Sequence, residues 1–228
     1  MSAGQDSDLV LLFRDETATL YHLCIPMESV PSLLHKLLRC ELTLLYQDSN
    51  GELLLGAPLP AAVLSGAFNP VHEGHLRLAE VAARRLGCEV HFELTLVNAD
   101  KPPLDLDETW RRMRQFLGIK PLWLTNAPTF AERARLFPGA TWVVGIDTAE
   151  RILDLRFYQN SENLRHKAMK QIEDCGCRFL VAGRMDRSGK FMGLHDIGIP
   201  PAHCKLFDAI PEDEFRVDIS STNLRQGL

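Results

Sequence analysis

Beyond residue 60 the chain alternates between two hydrophobic patterns. Short, nearly continuous apolar runs read as buried strands, and longer stretches with apolar positions three and four apart read as amphipathic helices. Residues 61–64 form the first such strand, ending at Gly66. A helix follows over 74–86, with Leu76, Leu78, Ala79, Ala82 and Ala83 on its apolar side and Gly87 placed to end it. Further strands are expected over 90–96, 122–124, 142–145 and 178–182. Between them, helices are expected over 107–116, with Asp107 as N-cap, and over 129–137, 147–153 and 162–174. Repeated strand–helix units predict an α/β fold, a Rossmann-like doubly wound parallel sheet. Right-handed crossovers gather the strand C-termini at one edge. Gly66, Asn98, Gly145 and Arg184 fall at or just past predicted strand ends, so they face one crevice.

The first 60 residues follow a different pattern. Strands are expected over 9–13, 17–25, 41–46 and 52–55, and one helix over 29–39 with Ser29 as N-cap and Pro31 in its first turn. Asn50 and Gly51 suit a two-residue hairpin turn, and Pro58, Leu59 and Pro60 read as a linker. The expected organisation is a small N-terminal α+β appendage over 1–60 and a main domain over 61–228. The appendage carries no catalytic constellation. Its expected role is docking or dimerisation, which makes it the route to a homo-oligomer.

Composition narrows the function classes. With 46% apolar residues in 228, the chain has enough material for a sizeable core. A net charge of −5 without a Lys/Arg run excludes general nucleic-acid binding but leaves room for a local phosphate site. No apolar run approaches the roughly 20 residues of a membrane span. The acidic, polar start MSAGQDSD reads as neither a secretory signal nor a transit peptide, so a cytoplasmic location is expected. The six cysteines, Cys24, Cys40, Cys88, Cys175, Cys177 and Cys204, fit no zinc spacing and read as reduced thiols.

The sharpest chemical signal lies just after the first main-domain strand. Ser65, Gly66 and Ala67 lead through Phe68, Asn69 and Pro70 to His72, Gly74 and His75. A strand, a glycine turn and a helix N-terminus together make an anion site, because free backbone N–H groups and the helix dipole converge there. Two histidines three apart, with a glycine between, can both donate to one phosphate chain, more strongly when protonated. Either histidine alone is equally a helix-start residue or a metal ligand. A second signal closes the chain: Ser220, Ser221 and Thr222 suit a helix N-terminus, and Arg225 follows Ser221 at i+4. An ordinary capped helix and a phosphate clamp both fit it.

Taken together, these segments resemble the two signatures of the HxGH nucleotidylyltransferase superfamily. The first, GxFxPxHxGH, is matched at Gly66, Phe68, Pro70, His72, Gly74 and His75; the second, ISSTxxR, at Ile219, Ser220, Ser221, Thr222 and Arg225. Within it, the chain is most similar to the nicotinamide or nicotinate mononucleotide adenylyltransferases. The resemblance implies transfer of the adenylyl group of ATP to a mononucleotide phosphate, with release of pyrophosphate. It implies catalytic roles for His75, His72, Arg225 and Lys101. Nucleotide contacts are implied at Ser65, Gly66, Ala67, Phe68, Asn69, Gly74, Arg184, Ser220, Ser221 and Thr222. The acceptor falls to Asn98, Lys101, Gly145 and Asp147. Arg111 and Arg112 resemble an arginine-containing helix of the family, and a solvated face fits them equally. The stacking tryptophan usual after GxD is missing, and Phe157 or Tyr158 stands in its place. Mg²⁺ is expected to arrive on the nucleotide phosphates, without a protein metal site. Two alternatives stay open: a CTP- or ATP-dependent transferase using another phosphorylated small molecule, and a nucleotide-binding regulator without turnover.

Overall fold

A computed structural model describes residues 9–14, 20–25, 30–99, 102–186 and 188–216. Strands β1 (Leu9–Arg14) and β2 (Leu20–Ile25) pair antiparallel as a two-stranded sheet. Helix α1 (Val30–Leu38) leads to β3 (Leu44–Gln47) and β4 (Leu53–Leu54). The α/β alternation then runs through β5 (Ala62–Ser65), α2 (Glu73–Leu86), β6 (Val90–Thr95), α3 (Leu106–Met113) and β7 (Leu122–Thr125). It continues with α4 (Phe130–Leu136), β8 (Thr141–Gly145), α5 (Ile146–Leu153), α6 (Glu162–Asp174) and β9 (Arg178–Ala182). A short hairpin of β10 (Arg184–Met185) and β11 (Phe191–Met192) precedes β12 (Phe207–Ile210).

The main sheet has eight strands in the order β12-β9-β8-β5-β6-β7-β3-β4. The six from β12 to β7 are mutually parallel, and β3 and β4 extend the sheet antiparallel beyond β7. From β5 the chain winds outward to β6 and β7, then returns to β8 on the other side and winds out to β9 and β12. The switch point is therefore the crevice beyond the C-terminal ends of β5 and β8.

Alternate residues of each central strand enter two cores, because both faces of a parallel sheet are covered by helices. Leu64, Phe92, Leu94, Leu122 and Val143 pack with α1, α2 and α3. Val63, Trp123, Trp142, Val144 and Phe179 pack with α4, α5 and α6. The doubly wound parallel architecture matches the periodic pattern of the sequence.

Three local expectations change. The N-cap of α3 is Asp105 rather than Asp107: its carboxylate accepts the Glu108 N–H at 2.8 Å, three residues on. The β3–β4 connection is wider than a two-residue turn at Asn50 and Gly51. Asp48 organises it by accepting the N–H groups of Asn50 at 2.9 Å and Glu52 at 2.8 Å. Finally, residues 30–54 do not stand apart from the main domain. Strand β3 pairs with β7, and Leu33, Leu34, Leu37, Leu45 and Leu53 share the core that holds Phe92.

Candidate functional site

The loop after β5 is built around one aromatic ring. Phe68 adopts a left-handed backbone with φ 44°, and its ring is buried against Phe92, Phe116 and His75 at centroid distances of 5.4, 5.1 and 5.1 Å. A Cβ on Gly66 would lie 2.7 Å from that ring. Gly66 is therefore required by the folded-under Phe68 as well as suited to close phosphate approach. The Phe68 side chain is an internal anchor of the loop, which leaves its backbone for the nucleotide contact that the resemblance implies.

Helix α3 grips the same loop from outside. Arg112 Nη1 donates to the Ala67 carbonyl at 2.8 Å, and Arg111 Nη2 to Asn69 Oδ1 at 2.5 Å. Beyond the helix end, Gln115 donates to the Phe68 carbonyl at 3.0 Å and accepts the Val71 N–H at 2.9 Å. Glu108 ties both arginines together, and their hydrogen bonds, that of Arg111 foremost, hold its carboxyl down to about 2. Arg111 and Arg112 thus clamp the loop; they are more than a solvated face.

At the start of α2, His72 is the N-cap and His75 lies in the first turn, with Gly74 buried between them. The His72 backbone N–H donates to His75 Nδ1 at 3.2 Å, and the two rings stack at 3.7 Å between centroids. With Nδ1 an acceptor, the His75 proton sits on Nε2, which is left as a donor. Burial, reinforced by the neighbouring His72, pushes His75 down to about 3, and burial also lowers His72. His75 is therefore a neutral donor near neutral pH, rather than a charged one.

A cleft of about 220 Å³ opens at the switch point. Ser65, Gly66 and Ala67 line it, together with Thr129, Phe130 and Arg133. Asn98 lines it beyond β6, and Thr148 and Arg151 reach it from α5. Phe157 and Tyr158 complete the lining. Tyr158 is tied back, its hydroxyl donating to the Ile152 carbonyl at 2.7 Å, and burial pushes its phenol up to about 12. That leaves Phe157 as the ring available for stacking, with the Arg151 guanidinium 5.4 Å from its centre.

Beneath the cleft lies a group that the sequence did not single out. Glu93, fully buried in β6, accepts from Ser65 Oγ at 2.6 Å and Thr125 Oγ1 at 2.5 Å. Arg133 on α4 pairs with Glu93 at 3.5 Å and donates to Ser65 Oγ at 2.8 Å. It also donates from Nε to the Ala127 carbonyl at 2.9 Å and from Nη2 to the Pro128 carbonyl at 3.2 Å. The available signal was Glu93 itself, a charge between Phe92 and Leu94 in a strand expected to be buried. In a sheet covered on both faces such a residue must be buried and partnered.

The sequence pattern of the cytidylyltransferase-like family matches residues 63–227. The chain belongs to that family. Over 72 residues, 32% of this chain and 34% of the relative, it is 32% identical to a probable nicotinate-nucleotide adenylyltransferase of Dehalococcoides mccartyi. The chain therefore spans about a third of the length of that curated relative.

Within this family member, Ser65, Gly66, Ala67 and Asn98 line the cleft together, and His72 and His75 share the start of α2. Asp147 and Arg184 are brought to each other, Arg184 Nε and Nη2 both 2.9 Å from Asp147 Oδ1, with both side chains half exposed. Gly145 caps α5 beside them. Gly145, Asp147 and Arg184 are not among the residues lining the cleft, and neither are Phe68, Asn69, His72, Gly74 and His75. Lys101, Ser220, Ser221, Thr222 and Arg225 lie outside the described residues. Among the described residues, no group of three or more His, Cys, Asp and Glu side chains is placed to hold a metal ion. None of their helices is long and apolar enough to cross a membrane.

Proposed function

We propose that this protein transfers the adenylyl group of ATP to the phosphate of nicotinate or nicotinamide mononucleotide, releasing pyrophosphate. The observation that carries the reading is the start of α2. A neutral His75 with its proton fixed on Nε2 stands beside His72 at a helix N-terminus, directly after a Gly66 turn at the switch point of the sheet. Such a point gathers N–H donors and the helix dipole around an anion. The pyridine acceptor is supported by the partial match to a nicotinate-nucleotide adenylyltransferase and by an aromatic cleft holding Phe130 and Phe157.

A phosphate monoester is already a competent nucleophile, so the protein needs no covalent intermediate. Its contribution is placement and charge stabilisation: fixing two anions in line supplies about 7–11 kcal/mol of such barriers. His72 and His75 donate to the α-phosphate and the departing pyrophosphate, Arg225 adds a permanent charge there, and Lys101 holds the acceptor phosphate. Ser220, Ser221 and Thr222 of the second signature bind the triphosphate. Mg²⁺ enters as part of the nucleotide substrate, bound by phosphate oxygens and water.

The test is a pyrophosphate-release screen that crosses ATP and CTP with nicotinate mononucleotide, nicotinamide mononucleotide and other phosphorylated acceptors. Turnover of ATP with a pyridine mononucleotide is expected. Turnover with CTP, or only with another acceptor, would redirect the assignment within the family. ATP binding without pyrophosphate release under any pairing would point to a regulator.

A further inference from the structure

A buried carboxylate is costly unless it is paired and hydrogen-bonded, and an apolar pair of similar volume holds a fold equally well or better. Stability is therefore a weak reason for Glu93 and Arg133 to face each other, at side-chain exposures of 0% and 5%. Geometry supplies a stronger one. Each guanidinium nitrogen is committed to a different point: Nη1 to Ser65, where the phosphate loop begins, Nε to Ala127 and Nη2 to Pro128. Ser65 lies in register with Glu93 across β5 and β6, so the loop start is held from two sides. The Ala127–Pro128 carbonyls lead straight into Thr129 and Phe130, which also line the cleft, and the guanidinium lies 4.6 Å from the Phe130 ring centre.

From this we infer that Arg133, held by Glu93, is a positioning residue: its planar fork fixes the phosphate loop relative to the 127–130 segment of the cleft lining, and so places the acceptor. The inference rests on the reading of the cleft as the site of nucleotidyl transfer. A lysine keeps the charge but presents one nitrogen in place of a rigid three-point fork. Small misplacements of a bound reactant are expensive, about 100-fold in rate for 1 Å.

The test compares wild type with Arg133→Lys, using ATP and nicotinate mononucleotide and following pyrophosphate. The acceptor KM should rise at least about tenfold while the ATP KM stays within about twofold. Unchanged constants, or a loss confined to kcat in proportion to the folded fraction, would overturn the role. Ser65→Ala removes the hydroxyl that links Glu93 and Arg133 to the loop while keeping both charges in place. It should shift the acceptor KM in the same direction, and the double variant should be no worse than Arg133→Lys alone. Fully additive effects would overturn the shared linkage. If wild type turns over no acceptor, the activity reading fails by itself, and the same variants are compared by calorimetric binding of ATP and nicotinate mononucleotide. Acceptor-selective weakening then supports the role. Equal affinities in both proteins, or no binding of the mononucleotide to wild type, overturn it.

Discussion

His75 receives the backbone N–H of His72 on Nδ1 at 3.2 Å while the two rings stack at 3.7 Å, so one turn of helix fixes the tautomer of the other donor. Under the proposed function, the contact that matters for transfer is the Nε2–H of His75, which gains strength as charge grows on the α-phosphate. His75→Ala should lower kcat at least about tenfold and weaken ATP binding less. Steady-state kinetics beside calorimetric ATP binding decide it; an unchanged kcat would remove His75 from the chemistry.

The same ring predicts an acid sensitivity. Folding lowers His75 from its ordinary 6.5 to about 3, so between these values the unfolded chain binds the extra proton. Stability is complete above 6.5 and declines as pH falls toward 3. At pH 5 the loss is about 2 kcal/mol. Urea unfolding at pH 7.5 and pH 5 should show a larger fall for wild type than for His75→Gln, by roughly that amount.

Gly66→Ala should be disruptive out of proportion to its size. The added methyl meets the Phe68 ring at 2.7 Å, and that ring is enclosed by Phe92, Phe116 and His75. Overpacking of this kind costs about 1–3 kcal/mol. A lowered melting temperature together with weaker ATP binding is the expected pair of results, since the displaced ring leans on His75.

Arg184 and Asp147 separate stability from binding. Both side chains are about half exposed, and an exposed pair contributes little to folding, about 0–1 kcal/mol. Arg184→Ala should leave the melting temperature nearly unchanged and raise the KM for the triphosphate severalfold. Equal KM values in both proteins would confine this arginine to the surface.

The periodic part of the fold was legible because each central strand is a short apolar run and each helix carries its own stop. Helix α6 and strand β9 fall at their expected boundaries, and Gly87 ends α2 in the left-handed conformation at φ 67°. Strands β10, β11 and β12 were not legible. The first two are two residues long, and β12 interrupts its apolar residues with Asp208 and depends on pairing with β9. The loop after β5 stood out because glycine, proline and histidine at fixed spacing have few other uses together. The pairing of Glu93 with Arg133 could not be read: they lie 40 positions apart in the sequence, and only the folded chain joins them.

Strand β3 also has a consequence for how this protein may be divided. All four residues of β7 are buried, and their outer backbone edge is taken up by β3, which is followed by a β4 of only two residues. A fragment beginning at residue 61 would leave Leu122, Trp123 and Leu124 on a bare edge of the sheet, a ready template for other chains. Cutting at the proline-rich 58–60 stretch is thus expected to yield material that self-associates. In this chain the early residues serve as a selvedge that keeps the woven sheet from joining its neighbours.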